Sequence, residues 1–338
     1  SAATQAPSGE NCQPWHFVVK GSIIEQWNLP ERDQSPYGWG QRASYMANGA
    51  ALENLVLMAA ELGYEASVRY FPNEPELVAE ISLSKTGPAR DPLAGAIFDR
   101  VTNRKAYTPY SLSKDEIGSL NAAVMPGTLQ LTTDPIGITR LAKSGSANEE
   151  VMLSNDSLHN FFFSHLNWTK REDEEKKVGF YIETLELPPP AKIAFKFIRR
   201  RSIIRMLRKV GFHKIVGEQN ANIYGMSSGI GAIAGEGGDP IHFVRSGRNL
   251  QRVWLAATRA GLSFQPLTGI IFLKLGLDRS DTVTFSDTER KTIEDAYSTI
   301  VSIFGSDRPV HFMFRIGKSE PPTAQATRFS LQESVTVN

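Results

Sequence analysis

At 338 residues, 41% hydrophobic and 22% charged, the chain has material for one large or two ordinary domains around a sizeable core. A formal net charge of +1 excludes the global field that draws nucleic acid. The one cysteine, Cys12, excludes an intrachain disulfide framework and a cysteine-based zinc site.

Ala2 to Ala6 reads as the last turn of a helix begun upstream, so the chain is expected to be a piece of a longer polypeptide. Pro7-Ser8-Gly9-Glu10-Asn11-Cys12-Gln13-Pro14-Trp15 then sets a tight turn, because Pro fixes φ and Gly accepts conformations closed to other residues. Two readings stand here. One is an ordinary surface turn over a core Trp. The other is a seat for a planar polar ligand with a phosphate tail, offered backbone N–H groups and the amides of Asn11 and Gln13. Cys12 reads as a small packed side chain. Phe17 to Lys20 is expected as a strand, and residues 21–44 as a short helix or loop.

Apolar spacing predicts a helix from Tyr45 to Leu62, stopped by Gly63, then strands at Ala66–Phe71 and Leu77–Leu83. The helix pattern returns. Gly49, Leu52, Leu55, Val56, Leu57, Ala59 and Gly63 align without gaps on Gly247, Leu250, Val253, Trp254, Leu255, Ala257 and Gly261. Leu77–Leu83 has its counterpart in Pro309–Ile316. A duplicated unit is expected, its halves at 1–98 and 99–338. Near the start of the second half, Arg100-x-Thr102-x-Arg104 offers two planar forks and a hydroxyl for a phosphate, or is a solvated basic loop. Ser113 with Glu116 forms a capping box ahead of a helix at 114–123, and a strand follows at Leu129–Thr132. Residues 134–166 read as helical, with Phe161 to Phe163 as core, and Lys170 to Lys177 as a solvated charge run.

Residues 186–226 match nothing in the first half. Pro188-Pro189-Pro190 opens the segment, and Lys192 to Lys214 is rich in Lys and Arg without an acid. Wound as one helix, these basic residues fall on all sides, which argues against a membrane-surface helix. The segment is expected to be an insertion, a lid or a basic surface excursion. Gly229 to Gly235 reads as a buried strand; its glycine spacing fails the dinucleotide fingerprint. A helix over Ser246–Ala260 leads to Gln265-Pro266-Leu267-Thr268-Gly269, and Phe312–Ile316 is a late strand. Arg328 lies in the tail, either as a ligand-closing cation or a solvated side chain.

Ala6-Pro7-Ser8-Gly9, Asn11 and Gln13-Pro14-Trp15 together resemble the A-P-S-x-x-N-x-Q-P-W signature of the nitroreductase family, in particular its tandem, pseudo-dimeric, Acg-like branch. The resemblance implies an α+β fold in which two repeats in one chain mimic a homodimer. It implies FMN held by Ser8, Gly9 and Asn11 from one half, and by Arg100, Thr102, Arg104, the Pro266–Thr268 loop and Arg328 from the other. Pro266 has no N–H, so Leu267 or Thr268 is expected to offer a backbone donor near flavin N5. No side chain is expected to be catalytic and no metal is expected. The reverse site would need a second turn near residues 132–150, where Lys143 to Asn148 lacks both the Pro and the Gln-Pro-Trp.

The activity implied is transfer of electrons from NAD(P)H through FMN to a small nitro or quinone acceptor. A flavin-sequestering protein, or the redox half of a fusion with an E1-like adenylating domain, are the alternatives. A cytoplasmic monomeric pseudo-dimer, or a further homo-oligomer, is expected, with no nucleic-acid or membrane partner. The single Cys and the lack of a signal peptide or a bilayer-length apolar run agree with that.

Overall fold

The structure is a computed structural model that describes residues 1–277, 283–305 and 307–338. In chain order the elements are β1 (Trp15–Lys20), β2 (Ile23–Asn28), α1 (Arg42–Glu61), β3 (Tyr64–Tyr70), β4 (Leu77–Lys85), α2 (Lys114–Ala122), β5 (Leu129–Thr132), α3 (Pro135–Ser154) and α4 (Asp156–Ser164). Then come β6 (Leu166–Asn167), α5 (Lys170–Lys176), β7 (Phe180–Tyr181), α6 (Pro189–Ile198), α7 (Arg201–Lys209), α8 (Phe212–Gly225) and β8 (Gly229–Ala234). The chain closes with α9 (Pro240–Arg259), β9 (Ser263–Pro266), α10 (Gly269–Leu277), α11 (Asp287–Phe304), β10 (Val310–Gly317), α12 (Leu331–Ser334) and β11 (Val335–Val337).

The fold is α+β, as expected. Its two larger sheets share one topology. The first runs β1-β2-β4-β3 and the second β5-β8-β10-β9, antiparallel throughout, each with its long helix between the second and third strands in sequence. The C-terminal β11 joins the first sheet in parallel to β1, so the chain ends beside its own beginning. The region 21–44 departs from its expectation of helix or loop, because it holds β2, which pairs with β1 across the Gly21 turn (φ +60°).

The helices α1 and α9 pack against each other between the sheets. They cross at two glycines. A Cβ on Gly49 would stand 2.8 Å from the Val244 carbonyl carbon and closer still to its oxygen. A Cβ on Gly247 would stand 2.8 Å from the Met46 carbonyl carbon, again closer to the oxygen. Each glycine thus receives the backbone three residues before the other, a reciprocal contact that only Cβ-free positions permit. Beyond the crossing, Gln251 Nε2 donates to Asn54 Oδ1 at 2.7 Å, and the buried Glu53 pairs with Arg248 (2.6 Å) and Arg252 (2.9 Å). Trp254, Phe264 and Phe314 stack face to face from helix to sheet, with centroids 4.3 Å apart at each step.

Residues 186–226 form α6, α7 and α8, and α8 lies along α3. Ile198, Ile204 and Tyr224 are buried in the core around α3, α4 and α11, so the inner side of this segment is packed structure.

Candidate functional site

The turn at 8–13 is built from backbone most residues avoid. Glu10, Asn11 and Gln13 have φ of +43°, +55° and +49°. Such residues cost about 1–3 kcal/mol each and persist only where their surroundings hold them. Here the side chains do the holding. Ser8 Oγ accepts from the Gln13 N–H at 3.0 Å. Asn11 Nδ2 donates to the carbonyls of Lys177 (2.9 Å) and Thr327 (2.8 Å). Gln13 Nε2 donates to Lys177 O at 2.8 Å, and its Oε1 accepts from the Phe329 N–H at 2.9 Å. Trp15, fully buried, anchors the turn against Ala47, Ala50 and Ala51 of α1. Cys12 is buried too, and burial pushes its thiol well up, which fits its reading as a packed side chain. Gly9 is exposed at the tip.

The tail closes on this turn. Arg328 Nη1 donates to Asn11 Oδ1 at 2.6 Å. Arg100 is buried, gives one hydrogen bond to Gln5 O at 2.8 Å, lies 4.5 Å over the Trp254 ring, and leaves its Nε without a partner. Burial, then the nearby Arg328 charge, pushes Arg100 down to about 9. Burial also lowers Arg328, to about 10. Guanidinium remains protonated at neutral pH, so both shifts express cations held out of water, and Arg100 also feels the Arg328 charge. Among the described residues neither makes an ion pair. Two forks in a desolvated site without a carboxylate are a seat for a polyanionic group such as a phosphate.

Thr102 is half-buried between the arginines of its run. Arg104 points elsewhere: its Nη1 donates to Thr184 O at 2.9 Å, and the guanidinium lies 5.7 Å from the Phe180 ring. Its charged neighbours include Glu186 and Arg315, whereas Arg100 responds to Arg328. The extended run 100–104 therefore divides its two arginines between two environments.

On the second half's side, Pro266 ends β9 opposite Phe314. The Leu267 N–H donates to Met313 O at 2.8 Å and is committed to the sheet, so it drops out as a donor to a ligand. Thr268 precedes α10, and its carbonyl accepts the first bonds of that helix. Against Gly269, α3 presents Asn148, with Glu149 next to it in sequence. A Cβ on Gly269 would overlap the Asn148 amide, and both Asn148 Oδ1 and Glu149 Oε2 lack partners. Burial raises Glu149 to about 7, and the Tyr224 hydroxyl donates to its Oε1 at 3.3 Å. Glu10, on the turn, is raised to about 8 by burial and then by Asp33. Lys143 to Asn148 lies inside α3 and is no turn.

The sequence reading passed over Arg315. It is fully buried, donates to Gln265 Oε1 (2.8 Å), Lys105 O (2.7 Å) and Ile223 O (3.2 Å), and stacks on Tyr107 with its guanidinium 3.9 Å from the ring centre. It ties β10, β9 and α8 to Lys105, just past the 100–104 run, in one frame. An arginine between Phe314 and Ile316 in a mostly apolar strand was the available signal.

No family model matches the chain. Over 281 residues, 81% of this chain, it is 27% identical to an uncharacterized protein of Mycobacterium tuberculosis strain CDC 1551, and the match covers 39% of that protein. Over 136 residues, 38% of this chain, it is 32% identical to Rv3131 of Mycobacterium tuberculosis H37Rv, named as a candidate NAD(P)H nitroreductase, again over 39% of its length. The chain thus spans about two-fifths of the curated relatives it matches. Among solved structures it is similar to the FMN-dependent nitroreductase NfnB of Mycobacterium smegmatis in complex with NADPH, at TM-score 0.40 and 12% identity, over 72% of this chain and 96% of that one. A nitroreductase with bound FMN from Bacteroides fragilis gives TM-score 0.35 and 11% identity, over 71% and 96%. Over that stretch of 136 residues, the chain is similar in sequence to a candidate NAD(P)H nitroreductase.

Proposed function

We propose that the chain is an FMN-dependent oxidoreductase, taking electrons from NAD(P)H and passing them to a small organic acceptor of the nitro or quinone type. The carrying observation is the Arg100–Arg328 pair, two desolvated cations without a carboxylate beside the Pro7–Asn11 turn. The names of the chain's relatives agree with it. In this reading Arg100 and Arg328 hold the phosphate, while Ser8, Gly9 and Asn11 present the turn to the ribityl chain. Thr268 offers the backbone N–H from the opposite half. FMN, when bound, supplies hydride and electron transfer, and the protein binds, orients and tunes it.

The remaining work falls to the chain's own groups. On α3, Asn148 borders Gly269, and next to it the buried Glu149 carboxyl, near 7, is shared between its protonated and ionised forms at neutral pH and so can donate to or accept from a hydrogen-bonding ligand. Arg315 keeps Gln265 and Lys105 in register. The division into units at 1–98 and 99–338, with an insertion at 186–226, is part of this proposal. It is supported by the matching strand orders and the reciprocal glycine crossing.

The test is the visible spectrum of the purified protein and its anaerobic response to NADH and NADPH. Flavin absorption, FMN released on denaturation and bleaching by either nucleotide are expected. A colourless protein that takes up no added FMN refutes the reading. A bound flavin that neither nucleotide reduces moves it to sequestration.

A further inference from the structure

The helices α6 and α7 each bury one side and expose another. Inward, Phe195, Ile198, Ile204 and Leu207 pack into the second core. Outward, α6 presents Ile193 and Phe197, and α7 presents Met206 with Val210 just beyond it. All four are more than half exposed, at 59%, 53%, 62% and 74%. They are spaced four apart on each helix, so each pair forms a ridge. Ile215, at the start of α8, is exposed to 53%. Isolated exposed apolar side chains are ordinary; a run of large ones on adjacent short helices is not.

Charge accompanies the apolar ridge. Residues 188–217 hold nine Lys or Arg and no Asp or Glu, while the whole chain is +1. The rest of the chain is therefore −8, with 28 basic against 36 acidic residues. Some of the nine are engaged within the fold: Lys192 with Glu183, and Arg205 and Arg208 with Asp156. Arg199 lies over the Trp168 ring. Lys196, Arg200, Arg201, Lys209 and Lys214 are exposed and, among the described residues, make no ion pair.

We infer that the α6–α7 face docks on an anionic lipid surface. Large apolar side chains that enter the boundary between headgroups and acyl chains, flanked by cations that remain at the phosphates, are the composition such a surface selects. A protein partner of mixed charge would leave the unpaired cations uncompensated. The single-helix projection of the sequence missed this face because the chain breaks between Ile198 and Arg201. The break resets the helical phase, so basic residues that seem to surround one helix become the outer flanks of two. The segment binds to the surface and does not cross it; among the described residues no helix is long and apolar enough to span a membrane.

The experiment is co-sedimentation of the whole chain with vesicles of phosphatidylcholine alone and with about 30% phosphatidylglycerol added, at about 0.1 M and 0.5 M salt. Binding to the anionic vesicles at low salt only is expected. The triple variant Lys196→Glu, Arg200→Glu, Lys209→Glu should weaken it at least about fivefold per residue changed. Phe197→Glu with Met206→Glu, on exposed positions that leave the core intact, should abolish it. A Phe197→Trp variant reports insertion separately, through a blue shift of its emission on adding anionic vesicles. Failure to sediment at low salt overturns the inference. So does full binding by the Phe197→Glu, Met206→Glu variant, or ultracentrifugation showing a dimer that this variant splits, since the face then belongs to a second copy of the chain.

Discussion

The reciprocal glycine crossing makes a sharp demand on stability. In Gly247→Ala the new methyl would press on the Met46 backbone at 2.8 Å from its carbonyl carbon, where ordinary contact begins near 3.5 Å. The obstacle is helix backbone, which cannot rotate aside as a flexible side chain can. The helices must part by roughly 1 Å, and a gap of that size forfeits up to about half of each contact's dispersion energy. The contacts at risk are those of Met46, Leu250, Val253 and Trp254, all buried here. Overpacking of this kind costs about 3 kcal/mol, and replacing a mid-helix Gly by Ala returns about 1, leaving a net loss of about 2 kcal/mol. Gly49→Ala should behave alike. Since one separation accommodates both methyls, the double variant should lose well under the additive total of about 4 kcal/mol. Gly118→Ala in α2, with nothing within 4 Å of its Cβ, is the control and should be neutral or slightly stabilising. Urea unfolding of the four variants and the parent measures all of these. If Gly247→Ala is as stable as the parent, or if the two losses add, the reciprocal contact is not the tight point of the interface.

Arg100→Met should raise the stability of the flavin-free protein, by removing an uncompensated buried charge, while weakening FMN binding about 10- to 100-fold; calorimetric titration and thermal unfolding on the same variant check both signs. Arg104→Ala should weaken FMN less, because its guanidinium reaches Thr184 O and not Arg328. Flavin titration should reach one FMN per chain, and two would break the single-site assignment. The folded chain keeps Glu10 protonated up to about 8 against 4.5 when unfolded, so stability should fall as pH rises through that window; Glu10→Gln should flatten the fall, and an unchanged slope of urea midpoint between pH 5 and 8 counts against it. Trp15→Ala should cost about 3–5 kcal/mol by thermal or urea unfolding, and an unchanged midpoint would show that the ring is no anchor.

How far the sequence reached depended on how each element buries its side chains. The long helices α1 and α9 were legible because their apolar residues recur with helical period and a glycine stops each pattern. The capping box of Ser113 and Glu116 also forms as read. The strand β2 was hidden by its own chemistry. Gln26 and Asn28 are fully or almost fully buried, yet polar, because Asn48 satisfies them: Gln26 Nε2 donates to Asn48 O at 2.8 Å, and Asn48 Nδ2 to Asn28 Oδ1 at 3.0 Å. A strand whose interior positions are amides looks like a loop until the partner helix is known. The helix α10 went unassigned for the opposite reason, since Ile270 to Leu273 are all buried and an unbroken apolar run has no period to read. In the candidate site the turn was legible from Pro, Gly and Trp. The pairing of Arg100 with Arg328 joins positions far apart in the chain, and only the resemblance pointed to the second. Asn148 meets the Thr268–Gly269 loop, and Glu149 meets Tyr224, through tertiary packing alone.

The two sheets share a strand order but differ at the turns that lead into them. Since β5 holds the place of β1, the position equivalent to the Pro7–Pro14 turn is the short lead into β5, Met125-Pro126-Gly127-Thr128. That segment keeps a Pro-Gly bend, with Gly127 at φ +78°, but no Asn or Gln to stitch a tail and no Trp to anchor it. It is held instead by Arg308, whose Nη1 donates to Gly127 O at 3.3 Å. Correspondence is kept at the helix crossing, where each helix's packing depends on the other's backbone and neither glycine can drift alone. It is lost at the turns, where only one arrangement collects Asn11, Gln13, Arg100 and Arg328. That difference separates what the fold requires from what the proposed ligand requires, and it confines the proposed chemistry to the face where the chain's first residues meet its last.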